Sequence, residues 1–322
     1  MKPWLVPFLY PLTVLMVQAQ AQTMNCFYIN SYHQGYEWSD RIQAQFNLEM
    51  KESCKISYHY LNAKNVKSST QLKNKGMEIA SLISLSQPDI VIAADDAASE
   101  YVVGPYLRNG RTPVVYVGIN WDPRPFGYPM DNATGMTEIW PIQQSIGLVK
   151  NIVGNINHVA FISSNNELEV NNVAGIARIM KKNKIELHSY LVKNFDEWKA
   201  AITDAQKYDV IELGTDQGID HWDKQEATAW IKANNKRFTF ASQDFMLPYS
   251  MVTLSESPEE FGHWAAELSK TIFKGDQPWQ IPIIPNRIFI PRYNPTLLSA
   301  TDFRLPDAIL RQSVVFKEEG QP

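Results

Sequence analysis

From residue 26 onward, short β-branched or aromatic runs alternate with amphipathic segments nearly to the end of the chain, and few folds tolerate that alternation. The spacing predicts strand 26–30 (CFYIN), helix 39–52, strand 57–61, helix 70–86, strand 89–94 (DIVIAA), helix 97–108, strand 113–117 (PVVYV) and a short strand near 134–137. A second series follows: helix 141–154, strand 158–163, helix 168–183, strand 187–192, helix 195–206, strand 209–213, helix 222–234 and strands 238–241 and 251–254. Two successive βαβ series imply an α/β chain of two doubly wound lobes, each a mostly parallel sheet covered by helices on both faces. Asn194 with Glu197 has capping-box spacing, and Ser257 ahead of Pro258 and Glu260 sets another helix start. The stretch 275–295 carries five prolines and reads as an extended connector returning between lobes.

Residues 1–21 read as an export signal that leaves no anchor. Lys2 gives a cationic start, Trp4 to Val17 is mostly apolar, and Ala19-Gln20-Ala21 has the small-x-small pattern of a cleavage site. The apolar run is broken by Pro7 and Pro11 and falls short of the roughly 20 residues that span a bilayer. No cysteine follows to carry a lipid, so the expectation is a soluble periplasmic protein with no membrane insertion of the mature chain. A formal charge of −4 gives nucleic acid little to hold. The two cysteines, Cys26 and Cys54, are expected at one edge of the first sheet, Cys26 opening a strand and Cys54 ending the following helix. An oxidising compartment leaves two readings open, a disulfide or two buried thiols.

In an open parallel sheet the loops after the carboxyl ends of the strands converge on a crevice, and here those loops are rich in rings, amides and carboxylates. They hold Tyr32, His33, Tyr36 and Trp38 within 31–41, then Asp95 and Asp96, then Asn120 and Trp121, then Glu138. The second lobe offers Asn165, Asn166 and Glu167, then Asp216, then Asp244. Such residues stack on a flat ligand and orient it with directional bonds. Tyr32, Trp38, Asp95 and Asn120 are expected to stack and orient it, and Asn165, Glu167, Asp216 and Asp244 to clamp it. The acids outnumber the nearest cations, Arg41 and Arg124, so an amine fits better than a phosphate. Each of these residues also has a structural reading: the rings of 31–41 as a cover on the sheet, Asp95, Asp96 and Asn166 as helix caps, Trp121 as packing. Trp198, Trp222, Trp230 and Trp264 read as core.

The chain has no G-x-S-x-G elbow, P-loop, G-x-G-x-x-G or H-E-x-x-H, and its six histidines lack metal-ligand spacing. The expectation is a binding protein, not an enzyme, with no cofactor and no metal.

Several segments resemble one family: Pro88 to Ala93 with the Asp95-Asp96-Ala97-Ala98 turn, Pro113 to Gly118 followed by Asp122-Pro123, and Thr134 to Thr137. The strand and turn at 158–167, Phe273 to Pro278 leading to Ile281-Pro282, and a final helix after Leu305-Pro306 also match. Together they resemble the periplasmic substrate-binding components of ABC transporters, in the group that includes tryptophan and tyrosine binders, with a type I periplasmic-binding-protein-like fold. The resemblance implies a monomer of two lobes joined by a three-crossing hinge, near 138–141, 255–258 and 288–294. The first lobe would comprise 24–138 plus 257–290, and the second 139–256 plus 293–322. It further implies that a small organic ligand, amino-acid-like, aromatic or amine-bearing, is captured between the lobes and delivered to an inner-membrane ABC permease. Asn120-Trp121 enlarges one turn relative to the family pattern, and the 31–41 loop also resembles extracytoplasmic sensor domains. The alternative is therefore a sensory subunit that signals to a separate membrane histidine kinase or cyclase.

Overall fold

The computed structural model describes residues 23–66 and 68–317; the export segment 1–21 lies outside them. The first series folds as β1 (Met24–Asn30), α1 (Glu37–Met50), β2 (Cys54–Tyr60), α2 (Ser69–Ser86), β3 (Ile90–Ala94), α3 (Asp95–Ala98), β4 (Val114–Asn120) and β5 (Ala133–Glu138). The second comprises α4 (Ile142–Val153), β6 (His158–Ser164), α5 (Glu167–Lys182), β7 (Glu186–Val192), α6 (Phe195–Ala205), β8 (Val210–Leu213), α7 (Lys224–Asn234), β9 (Phe238–Ala241) and β10 (Val252–Glu256). The chain ends with α8 (Pro258–Phe273), β11 (Ile284–Pro285), β12 (Phe289–Tyr293), α9 (Pro295–Ser299), α10 (Asp307–Gln312) and β13 (Val314–Val315). Among the described residues no helix is long and apolar enough to cross a membrane.

The strands form two sheets, in the orders β11-β5-β4-β3-β1-β2 and β13-β12-β10-β9-β8-β6-β7. All recorded pairings are parallel except β10 with β12. Period-2 alternation gives the first sheet two cores. Phe27, Ile29, Val91, Ala93 and Tyr116 bury one face, while Cys26, Tyr28, Ile90, Ile92 and Val117 pack under α1 and α8 on the other. The second lobe closes around one large core that includes Trp140, Phe161, Trp198, Ile211 and Phe240.

The chain crosses between the sheets three times. After β5 it runs through 139–141 into the second lobe, after β10 it returns into α8, and between β11 and β12 it crosses again. This last crossing, at 286–288, precedes the expected 288–294, because Phe289–Tyr293 is a strand paired with Glu256–Val252. Polar contacts tie the crossings together. Ile139 donates its N–H to Asn286 Oδ1 at 2.7 Å, and Arg287 and Ile288 donate theirs to the Glu260 carboxylate on α8, Ile288 at 2.8 Å.

Several expectations need correction. The connector 275–295 holds two short strands; their prolines, Pro285 and Pro291, are accommodated because β11 is an edge strand and β12 has on its outer side only the two-residue β13, which pairs with Arg292 and Tyr293. Helix 97–108 starts at Asp95 and widens over Ser99–Leu107 into a π-helical coil, where Pro105 has no N–H to give a regular ladder. Gly76 on α2 is what admits this coil, since a Cβ there would collide with the Tyr101 carbonyl. Ser257 does not cap α8 and donates to Glu259 Oε2 instead, whereas Asn194 does cap α6 by accepting from the Glu197 N–H at 2.9 Å.

Cys54 does not end a helix; it opens β2, opposite Met24 of the parallel neighbour. It is nevertheless bonded to Cys26, with the Cα atoms 5.8 Å apart, and the buried-thiol reading falls. The bridge closes a loop of 28 residues, which in the chain-entropy account contributes about 3–4 kcal/mol by restricting the unfolded chain. The variant Cys26→Ala/Cys54→Ala is expected to lose about that much in denaturant unfolding, with the fold retained because both positions lie against a packed sheet face.

Candidate functional site

The carboxyl ends of both sheets face one hollow. Its volume is about 420 Å³, and the first lobe supplies Tyr32, Tyr36, Trp38, Lys64, Asp95, Asn120 and Glu138. Facing them are Trp140 from the crossing and Asn166, Glu169, Thr215, Gln217, Gln243, Asp244, Phe245, Ser255 and Glu256 from the second lobe. A second chamber of about 410 Å³ shares Tyr36, Trp38, Gln217, Asp244 and Phe245, and adds Glu37, Arg41, Asp216, Lys224 and Tyr249.

The rings are placed by local structure. Tyr32 and Tyr36 meet edge to face with centroids 4.8 Å apart, in the turn that leads from β1 into α1. Lys64 Nζ lies 4.9 Å from the Tyr32 centroid and 5.4 Å from that of Tyr36, a cation-π arrangement that holds the ammonium at the wall. Trp38, on the first turn of α1, packs on Phe261 and donates its Nε1–H to Asp95 Oδ1 at 3.1 Å.

Asp95 is the centre of the first-lobe half. It follows β3 with a left-handed φ of 66° and is 2% exposed. Its other oxygen accepts from Ser39 Oγ at 3.3 Å. Gly118 on the neighbouring strand makes room: a Cβ there would sit 2.9 Å from Asp95 Oδ1, and its own φ is +75°. Asp96 has a different task. Its two oxygens accept from the backbone N–H and Nδ2 of Asn120, at 3.0 and 2.9 Å, which fixes Asn120 at the hollow.

In the second lobe Asn166 caps α5, accepting from the Glu169 N–H at 2.9 Å. Glu169 is buried and accepts from Ser163 Oγ at 2.6 Å and Asn172 Nδ2 at 3.0 Å. Asp244 is neutralised from two sides, by Arg41 and Arg292, each 3.8 Å away. Among the described residues Glu138 and Glu256 have no ion pair, Lys64 acting on Glu138 only at a distance. They end β5 and β10, the strands that run into two of the crossings, and Glu256 Oε1 is buried without a hydrogen-bond partner among the described residues. Gln243 Oε1 is in the same condition.

Burial raises the carboxyls around the hollow. It pushes Asp95 up to about 7 against the lowering hydrogen bond from Trp38, with the Asp96 charge adding to the rise. Burial likewise carries Glu256 to about 8 and Glu138 well above the carboxylate range, the latter with further repulsion from Glu256, Asp95 and Asp96. Burial also raises Glu169 and Asp216. Among the described residues Lys64 is the one cation lining the first chamber, against five acids, Asp95, Glu138, Glu169, Asp244 and Glu256.

The structure thus brings Tyr32, Tyr36, Trp38, Asp95, Asn120, Glu138 and Asp244 to the first chamber, and Asp216 to the second. Asp96 stands behind Asn120, and Trp121 packs against Trp140 with centroids 6.0 Å apart. Asn165 is exposed and lines neither chamber, its neighbour Asn166 doing so instead; the Glu167 side chain lies outside the described residues. Arg124 is turned to Asp122, with Nη2 to Oδ2 at 2.7 Å, and lines neither chamber. Sequence reasoning passed over Lys64, Glu169, Phe245 and Glu256 as lining residues. Lys64 follows β2, whose carboxyl end faces the same way as those of β1 and β3, and that parallelism was the available signal.

A carboxyl whose pKa is higher folded than unfolded binds its proton more tightly in the native state, so stability rises as pH falls from the folded toward the unfolded value. Asp95 at about 7 and Glu256 at about 8, against ordinary values near 4, place that window between pH 8 and 4. The melting temperature of the protein free of ligand is expected to climb as pH is lowered from 8 to 5, and Asp95→Asn to flatten that climb. Differential scanning calorimetry across the range checks both.

The family profile described as ABC transporter substrate binding protein matches residues 50–316. A ligand-free, open substrate-binding protein with adhesive properties from Clostridium difficile superposes with a TM-score of 0.76 at 13% identity, covering 92% of this chain and 100% of its own. A domain from Streptococcus pneumonia in complex with L-Trp gives 0.64 at 15% identity with the same coverage. A solute-binding protein from Rhodopseudomonas palustris holding 3,4-dihydroxybenzoic acid gives 0.55 at 13%, covering 78% of this chain and 80% of its own. No curated protein matches the chain. At these identities the superpositions establish the fold, and the profile establishes the family. The chain belongs to the ABC transporter substrate-binding proteins, extracytoplasmic proteins that bind a solute for a membrane permease and do not transform it.

Proposed function

We propose that the hollow between the sheets captures a small organic molecule carrying a flat apolar group and an amine. The chain would be exported by cleavage after Ala21 and would work as a periplasmic monomer that presents its closed form to an inner-membrane permease. Its lobes are 24–138 and 139–256, completed by the segments on either side of the third crossing.

The observation that carries this reading is the charge of the lining among the described residues: five acids and one ammonium, with Glu138 and Glu256 in no ion pair and Glu256 Oε1 buried without a donor. A buried acceptor left without a donor is destabilising by about 1–3 kcal/mol, more when charged, and a ligand N–H or ammonium restores the missing bond. Tyr32, Trp38, Trp140 and Phe245 supply apolar faces around the same space. L-Trp, held by one protein of this fold, combines both groups.

The test is a thermal-shift screen of purified mature protein, followed by calorimetric titration, with three arms: aromatic amino acids and arylalkylamines, organic anions, and neutral sugars. Amine-bearing aromatics are expected to raise the melting temperature, by about 4 kcal/mol of stabilisation at a thousand-fold excess over Kd. Stabilisation by anions or sugars alone overturns the reading. Glu256→Gln is expected to weaken the amine about 30-fold, the equivalent of roughly 2 kcal/mol for a charge-assisted hydrogen bond. Affinity should also fall between pH 8 and 5, as Glu256 and Asp95 take up protons and lose the charge that attracts the amine.

A further inference from the structure

We propose that His158, Glu186 and His188 form a binding site for a divalent transition-metal ion of zinc-like ligand preference, at the end of the second sheet remote from the ligand hollow. Nothing in the amine-binding reading depends on it. The parallel register sets His158 beside Glu186 and Ala160 beside His188. Alternate residues of a strand share a face, so all three side chains project from the same side of β6 and β7, and the small Ala160 lets His188 lean toward His158.

The donor atoms converge. His188 Nε2 is 3.4 Å from His158 Nδ1. Glu186 presents Oε2 to His158 Nδ1 at 3.6 Å and Oε1 to His188 Nε2 at 3.5 Å. Two nitrogens each bonded to zinc at about 2.0–2.1 Å in tetrahedral geometry lie roughly 3.4 Å apart, so the imidazoles already hold one edge of that tetrahedron. Two imidazoles and one carboxylate make a borderline donor set suited to zinc, and a fourth position faces solvent, since the His158 and Glu186 side chains are 49% and 64% exposed.

The ligands are also held. The Tyr208 ring stacks on His188 with centroids 4.2 Å apart and planes 17° from parallel. Asp209 Oδ2 accepts the N–H of Asn157 at 2.7 Å and of His158 at 2.9 Å, fixing the start of β6. A second grouping, Glu49, His263 and Glu267, supplies a contrast. There Lys270 Nζ lies 3.1 Å from Glu49 and 2.8 Å from Glu267, so an ammonium already fills the place a cation would take. Glu186 has no lysine or arginine ion pair among the described residues.

Calorimetric titration of the untagged chain with zinc chloride at neutral pH tests this, with cobalt(II) as a visible-absorption probe of four-coordinate geometry. The expected result is one zinc per chain, weakened at least tenfold by His158→Ala and by His188→Ala and unchanged by His263→Ala. Far-UV circular dichroism checks folding, and the isosteric Glu186→Gln, also expected to weaken zinc, carries the test should an alanine variant fail to fold. No saturable uptake, uptake indifferent to the His158 and His188 changes, or uptake lost on His263→Ala each overturns the proposal.

Discussion

Carboxylates withdrawn from water where the strand ends of two sheets meet are the constraint on which the rest of this structure depends. At the opposite ends of the strands acids are used conventionally: Asp89 accepts the Asn25 N–H at 2.7 Å, and Asp209 accepts two backbone N–H groups. Those bonds hold Asp209 below the ordinary carboxylate range despite its partial burial. At the hollow the balance is reversed: burial outweighs the bonds that Asp95 receives, and it raises Glu256 and, with the neighbouring acids, Glu138. An acid in that condition is destabilising, and it is tolerated because three packed cores hold the scaffold on either side. The same desolvation that weakens the unoccupied protein strengthens any charge brought to it, since fields in a hollow partly excluded from water are little screened.

The crossings place this charge at the pivot. Glu138 precedes the first crossing and Glu256 the second, while Asn286 and Glu260 fasten the third crossing to the other two through backbone N–H groups. A set of crossings bonded to one another bends as a unit, the usual basis of hinge closure. Arg41 adds a contact across the gap: it binds Glu259 at the start of α8 with two hydrogen bonds and lies near Asp244 of the second lobe.

The architecture was legible because alternation of period-2 and period-3.6 segments leaves few topologies, and the boundaries of long elements such as α2 and α6 fall within a residue or two of the reading. What escaped was governed by tertiary contact. β11 and β13 are two residues each and exist only through pairing with β5 and β12, so no local pattern marks them. The π-helical widening at Ser99–Leu107 depends on the close approach of Gly76 from another helix. At the site, residues on the loops after β1, β3 and β4 followed from the rule about strand ends. Glu256 and Ser255 did not, because they belong to the strand itself and to a buried run whose polarity reads as pairing. Asp96 and Asn120 illustrate a further limit: both are polar and adjacent to the hollow, yet only the hydrogen-bond geometry tells the orienting residue from the one that faces the ligand space.

Aromatic and charged groups in such a hollow perform separable tasks. Stacking on Tyr32 or Trp38 is available from one lobe alone, so it contributes nearly equally whether the lobes are apart or together. Glu256 and Gln243 line the same hollow from the second lobe, so on the proposed reading a bond to them needs both lobes at the ligand. A ligand shifts a two-state equilibrium only by its difference in affinity for the two states. On the proposed reading the unpaired acceptors would then discriminate closed from open, and the rings would hold the ligand first. A molecule with the flat group but no donor would bind to the first lobe and leave the lobes where they were.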